Sequence, residues 1–201
     1  MITLKDLGID LESADLVHAR KEVLYKKCRP VPLDLDPSDL RKLVDLMGEV
    51  MEKMGGVGLA ANQIGVDLAV VVTSLDGLEV LINPEVTYRC GMTVNSTEGC
   101  LSLGKKVYVV KRPMSIRLQY EDLMSREIIR KQISGPKVKV LMHETDHVNG
   151  LTIENVGKFH AGKTKIQIQY ELVENAIRER EASKIGLQTV QDRETDLGIT
   201  L

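Results

Sequence analysis

The sequence predicts one α+β domain with a mostly antiparallel sheet. Three observations point there: a helix-period apolar stripe near residue 40, a run of strand-like segments in the middle, and helical segments behind them. At 201 residues the chain is long enough for one sizeable core, or at most two small ones.

The stretch up to Pro37 reads as irregular, because Pro30, Pro32 and Pro37 discourage helix. A helix is predicted over Ser38–Met54. Leu40, Leu43, Val44, Met47, Val50, Met51 and Met54 recur at steps of three and four and form one apolar face. Asp36 or Ser38 can cap its start, and Gly55-Gly56 ends it. The methionines read as core packing.

Strands follow. Leu68–Thr73 is rich in valine; Val80–Ile82 is expected to stop at Asn83-Pro84; Lys105–Val110 and Ser115–Tyr120 are two more. In the last, Ile116, Leu118 and Tyr120 alternate with Ser115, Arg117 and Gln119, the pattern of a half-buried strand. Glu121–Ser125 reads as a turn into a strand over Glu127–Ile133. A second helix is predicted from Pro136 to the stop at Asn149-Gly150. A third is predicted over Lys163–Ser183, with Ile166, Tyr170, Val173 and Ile177 as its stripe, and then a loose polar tail from Gly186.

A net charge of -2 lacks the basic surplus of a nucleic-acid-binding domain. The N-terminus does not read as a secretory signal, and no apolar run approaches the ~20 residues that span a bilayer. Three cysteines, Cys28, Cys90 and Cys100, are too few and too odd for a disulfide framework, so a reducing cytoplasm is expected.

The second helix carries His143-Glu144-Thr145-Asp146-His147. Histidines at i and i+4 leave one helix face together and can take two corners of a metal site. A glutamate directly after the first histidine can reach a metal-bound water without being a ligand. Two chance histidines on a surface helix are the plain alternative, but the chain has only four histidines in all. A hydrolytic site needs a third ligand and an open position. Downstream, Glu154 and His160 are available without a convincing context. Upstream, Cys100 in Glu98-Gly99-Cys100-Leu101-Ser102 offers a thiolate, a strong ligand for transition metals. Buried hydrophobe is the usual fate of a free cysteine, and that reading is taken for Cys28 and Cys90. Metal-bound histidines commonly donate their other N–H to a carboxylate, which makes Glu98 a candidate support. Asp146 points away from the His143 face and is free to pair with a cation such as Arg112. The segment Gly56-Val57-Gly58-Leu59-Ala60-Ala61-Asn62-Gln63-Ile64-Gly65 lets a substrate backbone approach, and Gln63 offers an amide donor to an oxyanion. No Gly-Lys-Ser/Thr follows, so it is not a phosphate-binding loop.

These three segments, in this order at residues 56–63, 98–102 and 143–147, resemble the peptide deformylase family. Leu81-Ile82-Asn83-Pro84-Glu85 and Lys111-Arg112-Pro113 extend the likeness, which covers roughly residues 22 to 157. It implies antiparallel sheets around a central metal-binding helix, with an N-terminal and a C-terminal helix. It implies a catalytic domain over 1–160, with 161–201 a C-terminal helix and tail, part of that domain or appended to it. It implies Cys100, His143 and His147 as metal ligands and Glu144 as general acid/base. Gln63 and the Leu101 N–H become the oxyanion donors, and Val57, Gly58 and Gly99 border the substrate. The implied reaction removes the N-formyl group from the initiator methionine of nascent polypeptides and releases formate. The implied metal is Fe(II), with Zn, Ni or Co as substitutes. The implied partners are N-formylated nascent peptides, at the ribosome, with no membrane and no sequence-specific nucleic acid.

Some residues depart from the family's pattern: Met142 and Val148 flank the helix motif, Leu103-Gly104 follows Cys-Leu-Ser, and Lys137 and Lys139 stand on the approach to the helix. None is a ligand or the base; they bear on the shape of the substrate pocket. A metalloprotease cutting internal bonds would share the helix motif, but Glu-Gly-Cys-Leu-Ser argues against it. A metal-binding protein without catalysis would be expected to lack Glu144 or Gln63, and both are present.

Overall fold

Asp36 caps the first helix: its side chain accepts from the Ser38 N–H at 2.8 Å, and Pro37 fits the first helical position. This helix, α1 (Pro37–Lys53), buries Leu40, Leu43, Val44, Met47 and Met51 as its stripe requires, while Met54 at its end is exposed. The structure is a computed structural model and describes residues 1–16, 21–160, 167–168, 172–175 and 178–179.

Residues 1–161 form one compact unit, and among its described residues eight strands follow. β1 (Gly58–Ala60), β2 (Val70–Thr73), β3 (Glu79–Arg89), β6 (Ser115–Glu121) and β7 (Ile128–Ser134) make a five-stranded sheet, paired antiparallel in the order β1-β2-β3-β6-β7. β4 (Thr93–Gly99), β5 (Val107–Pro113) and β8 (Gly157–Phe159) make a three-stranded antiparallel sheet. The α+β reading and the antiparallel pairing therefore hold.

The second helix, α2 (Lys137–Val148), is buried along nearly its whole length and contacts strands of both sheets. Val70, Val72 and Ile82 pack with the α1 stripe. Val71, Leu81, Ile116, Leu118 and Tyr120 pack with Val138, Leu141, Met142 and Val148 of α2. The sheet is thus covered on both faces at β2, which is buried throughout. A third small core gathers Cys100, Leu103, Tyr108, Val110 and Ile153, the last on the short helix α3 (Ile153–Val156).

Four strands differ from the sequence reading, which places none at β1 or β8, both three residues long. β3 does not stop at Asn83-Pro84 but runs on to Arg89. Its register with β6 shifts between Ile82 and Glu85. Asn83 there takes a positive φ of 51°, which asparagine tolerates, so the bulge absorbs the proline that a regular ladder would reject. β4 was not expected at all, since Thr-Val-Asn-Ser-Thr-Glu-Gly has little apolar content; pairing with β5 along its whole length makes it a strand. Cys90 is half-buried at the end of β3 rather than a core residue. Its Sγ accepts from the Ser115 N–H at 3.2 Å.

Of the predicted third helix, Ile166, Tyr170 and Ile177 lie outside the described residues, as does the tail from Gly186. The described residues of the second unit, 167–168, 172–175 and 178–179, are helical. Among the described residues no helix is long and apolar enough to cross a membrane.

Candidate metal centre

His143 and His147 stand one turn apart on α2, with ring centroids 5.0 Å apart. Cys100 arrives at the end of β4, where the chain leaves the strand for a 3-10 turn over Leu101–Leu103. Its Sγ lies 3.2 Å from His147 Nε2. One sulfur and two imidazole nitrogens fall within 4.8 Å of one another, all on residues at least nine-tenths buried. Tetrahedral ligands about 2.0–2.3 Å from an ion stand roughly 3.3–3.6 Å apart, close to the 3.2 Å of the Cys100–His147 pair, and a thiolate with two imidazoles is a donor set that suits a divalent transition metal. It is the one such group of three among the described residues. The downstream candidates do not join it. Glu154 pairs with Lys106 at 3.0 Å and accepts from Tyr25 and Tyr108; His160 binds through its backbone to Val107.

Each histidine is prepared differently. His143 Nδ1 lies 3.0 Å from Glu98 Oε2, which leaves Nε2 for the centre. Burial opposes a charge on His143, but hydrogen bonds with Cys100 and Glu98 and the charge of Glu144 outweigh it and push its pKa up to about 10. His147, fully buried, is pulled well below the usual histidine value by burial, then by His143 and Arg112. It is neutral, the form that ligates. Its Nδ1 is buried without a hydrogen-bond partner.

Behind the histidines lies a buried ionic cluster. Arg112 of β5 grips Glu98 with two bonds of 2.8 Å and reaches Asp146 at 2.6 Å. Burial works against the Glu98 carboxylate, yet Arg112 and His143 overcome it and hold its pKa at about 2. The chain places Glu98 on His143 and Asp146 on Arg112, as helix geometry and the two-residue spacing suggest. A negative Glu98 in turn fixes the His143 ring.

Glu144 follows His143 on α2, where its charge acts on that histidine, and is itself buried, with Oε2 unpartnered. Burial pushes its carboxyl up to about 7, with His143 the chief opposing influence. A carboxyl poised near neutrality can both take and return a proton. β1 passes directly against it: a Cβ on Gly58 would stand 2.6 Å from Glu144 Oε1. Neighbouring Val57 is exposed, and β1 is an edge strand.

Gln63 sits in a 3-10 turn (Ala61–Ile64) after β1. Its Oε1 accepts from the Ala60 N–H at 2.9 Å, so its Nε2 faces the sulfur, 3.6 Å from Cys100 Sγ and 3.4 Å from Ser102 Oγ. Leu101 opens the turn after Cys100, where an N–H has no acceptor within the helix. Gly99 closes β4 opposite Val107. Of the unusual residues, Met142 and Val148 pack into the core facing the five-stranded sheet rather than toward the histidines. Two residues not singled out in the sequence, Asn62 and Ser102, are buried and bonded to the site: Asn62 Nδ2 donates to the His147 carbonyl at 2.6 Å. They lie inside the motifs, but no spacing marked them.

Comparison with known proteins agrees with this geometry. A family model described as polypeptide deformylase matches residues 13–160. The chain is 41% identical over 153 residues to a peptide deformylase of a Thermoanaerobacter species, covering 74% of this chain and 89% of that one. It is 35% identical over 160 residues to a peptide deformylase of Chlorobium luteolum, covering 75% and 80%. Among solved structures it resembles the peptide deformylase of Thermotoga maritima, at a TM-score of 0.67 and 30% identity, over 71% of this chain and 96% of the other. It also resembles an actinonin-bound class I type b peptide deformylase of Acinetobacter baumannii, at a TM-score of 0.66 and 26% identity, over 70% and 95%.

Proposed function

The chain belongs to the peptide deformylase family and removes the N-formyl group from nascent peptides, and on that premise we propose how its residues carry the reaction. The observation that supports the reading best is the convergence of Cys100, His143 and His147 within 4.8 Å, two of them on the helix that also carries the buried Glu144 carboxyl.

Cys100, His143 and His147 would hold one divalent ion. When bound, it supplies Lewis acidity and lowers the pKa of water at the open position. Glu144 accepts the proton of the attacking water and returns it to the departing amine. The formyl C–N bond breaks, hydroxyl adds to the formyl carbon, and formate leaves. Such proton transfer is typically worth ~10²–10⁴-fold. Gln63 Nε2 and the Leu101 N–H donate to the carbonyl oxygen as negative charge builds there. The bond from Ala60 supports the Gln63 role, because it turns the donating end toward the thiolate. Val57 and Gly58 at the sheet edge, with Gly99 at the end of β4, border the substrate backbone.

Fe(II) is the ion we assign, with Zn, Ni or Co able to replace it; thiolate and imidazole donors suit all four. We place the activity in the cytoplasm, on chains emerging from the ribosome, and read residues 1–160 as the catalytic domain with 161–201 as a C-terminal helix and tail. The test is formate release from formyl-Met-Ala by protein purified without oxygen, beside an unformylated peptide. Formate from the first and no cleavage of the second is expected. Cleavage of internal peptide bonds would favour an endopeptidase, and no turnover of either would leave a metal-binding protein without catalysis.

A further inference from the structure

We propose that Asn62 is a positioning residue for the metal-ligating imidazole of His147, an inference that rests on the metal-centre reading above. Asn62 is completely buried, and its Nδ2 donates to the His147 carbonyl at 2.6 Å, with the Val23 carbonyl a second acceptor at 3.4 Å. The His147 carbonyl lies in the last turn of α2, where the i+4 partner is missing. Gly150 N–H fills part of that deficit at 2.9 Å, and Asn62 supplies the bond that comes from outside the helix.

The two ligating histidines are supported in different ways. His143 has a carboxylate on its second nitrogen, whereas His147 Nδ1 has no partner. Apart from the Cys100 sulfur on Nε2, the orientation of His147 therefore comes from its backbone and its packing. That backbone is tied down at three neighbouring points. Cys28 N–H donates to the Val148 carbonyl at 2.8 Å; Lys26 and Lys27 cross so close to Gly150 that a Cβ there would stand 2.6 Å from the Lys26 carbonyl carbon; and Asn62 holds the His147 carbonyl. Asn62 alone of these acts on the ligand residue itself. It directly precedes Gln63, so one 3-10 turn registers the oxyanion donor against the metal ligand. Asn62 Oδ1 is also buried and unpartnered, an acceptor on the residue that touches His147, whose Nδ1 becomes a donor once Nε2 ligates.

The test loads wild type, Asn62→Leu and Asn62→Asp with Co(II). The readouts are the thiolate-to-cobalt and ligand-field absorption bands, the rate of cobalt loss to a chelator, and far-UV circular dichroism. Leucine keeps the volume and removes the amide; aspartate keeps the shape and removes the N–H. We expect both variants to keep the wild-type fold and to lose cobalt about 10-fold faster or more, the usual scale for support of a ligand, with shifted bands. A folded variant with wild-type bands and wild-type cobalt loss would overturn the proposal. If Asn62→Leu does not fold, Asn62→Asp alone decides. Wild-type protein that binds cobalt without a thiolate band would overturn the metal-centre reading and this inference with it; a normal thiolate band in wild type, with wild-type bands and wild-type cobalt loss in the folded variants, would overturn this inference alone.

Discussion

Gly58 runs so close to Glu144 that a Cβ on residue 58 would stand 2.6 Å from Glu144 Oε1 and 2.9 Å from its Cγ. The glycine is needed for approach, since its φ is not in the left-handed region. We expect Gly58→Ala to displace the Glu144 carboxyl and lower kcat/KM by roughly 10- to 100-fold, the scale of a misplacement near 1 Å. Metal content should not change, because no ligand is touched. Unaltered kinetics in Gly58→Ala would show that the carboxyl swings aside without cost.

Glu144→Gln keeps size and hydrogen bonding but cannot take a proton. We expect it to fold, to retain its metal, and to lose at least ~10²-fold in kcat/KM. Loss of metal together with activity would make Glu144 structural. Near-normal turnover by the metal-replete variant would remove the proton shuttle from the mechanism.

The three thiols should behave differently. Metal analysis of Cys100→Ala is expected to show lost or greatly weakened binding, with Cys28→Ala and Cys90→Ala unchanged. Burial pushes the Cys28 thiol up to about 12, with Asp67 adding to it, whereas bonds from Ser115 lower that of half-buried Cys90. At pH 8 an alkylating reagent should therefore label Cys90 well before Cys28, because the thiolate is the reactive form. Stoichiometric metal in Cys100→Ala, or faster labelling at Cys28, would contradict these assignments.

An iron(II)-thiolate site should lose activity in air as metal and sulfur oxidise. Replacement by nickel or cobalt should preserve it. Equal activity of the zinc and iron forms, with no effect of air, would count against iron as the working metal.

Asp146→Asn tests the ionic cluster. Arg112 keeps its two bonds to Glu98 but loses its charged partner at 2.6 Å. A stability loss of about 1–3 kcal/mol is expected from a buried cation left partly unpaired. A weaker hold on metal should accompany it, because Glu98 on His143 depends on the same guanidinium. Unchanged melting and unchanged metal affinity would mean that the cluster contributes nothing to the site.

Local pattern carried a large part of this protein. The α1 stripe, the alternation of β6, the stop at Asn149-Gly150 and the shared face of His143 and His147 all follow from periods of 3.6 and 2 read along a few turns or pleats. The motif order was equally legible, because residue identity and spacing survive in one dimension. What tertiary structure decided is everything that joins distant stretches. β4 is a strand only because β5 lies beside it, and β3 runs past Pro84 only because a bulge at Asn83 can be seated between Val31 and Glu121. Cys100 meets His147 across 47 positions, and Glu98 meets His143 across 45. The close approach of Gly58 to Glu144 and the bond from Asn62 to the His147 carbonyl belong to the same class. Propensity and periodicity act between neighbours in the chain. Pairing, burial and the electrostatics of a water-excluded site act between neighbours in space, which no local pattern records.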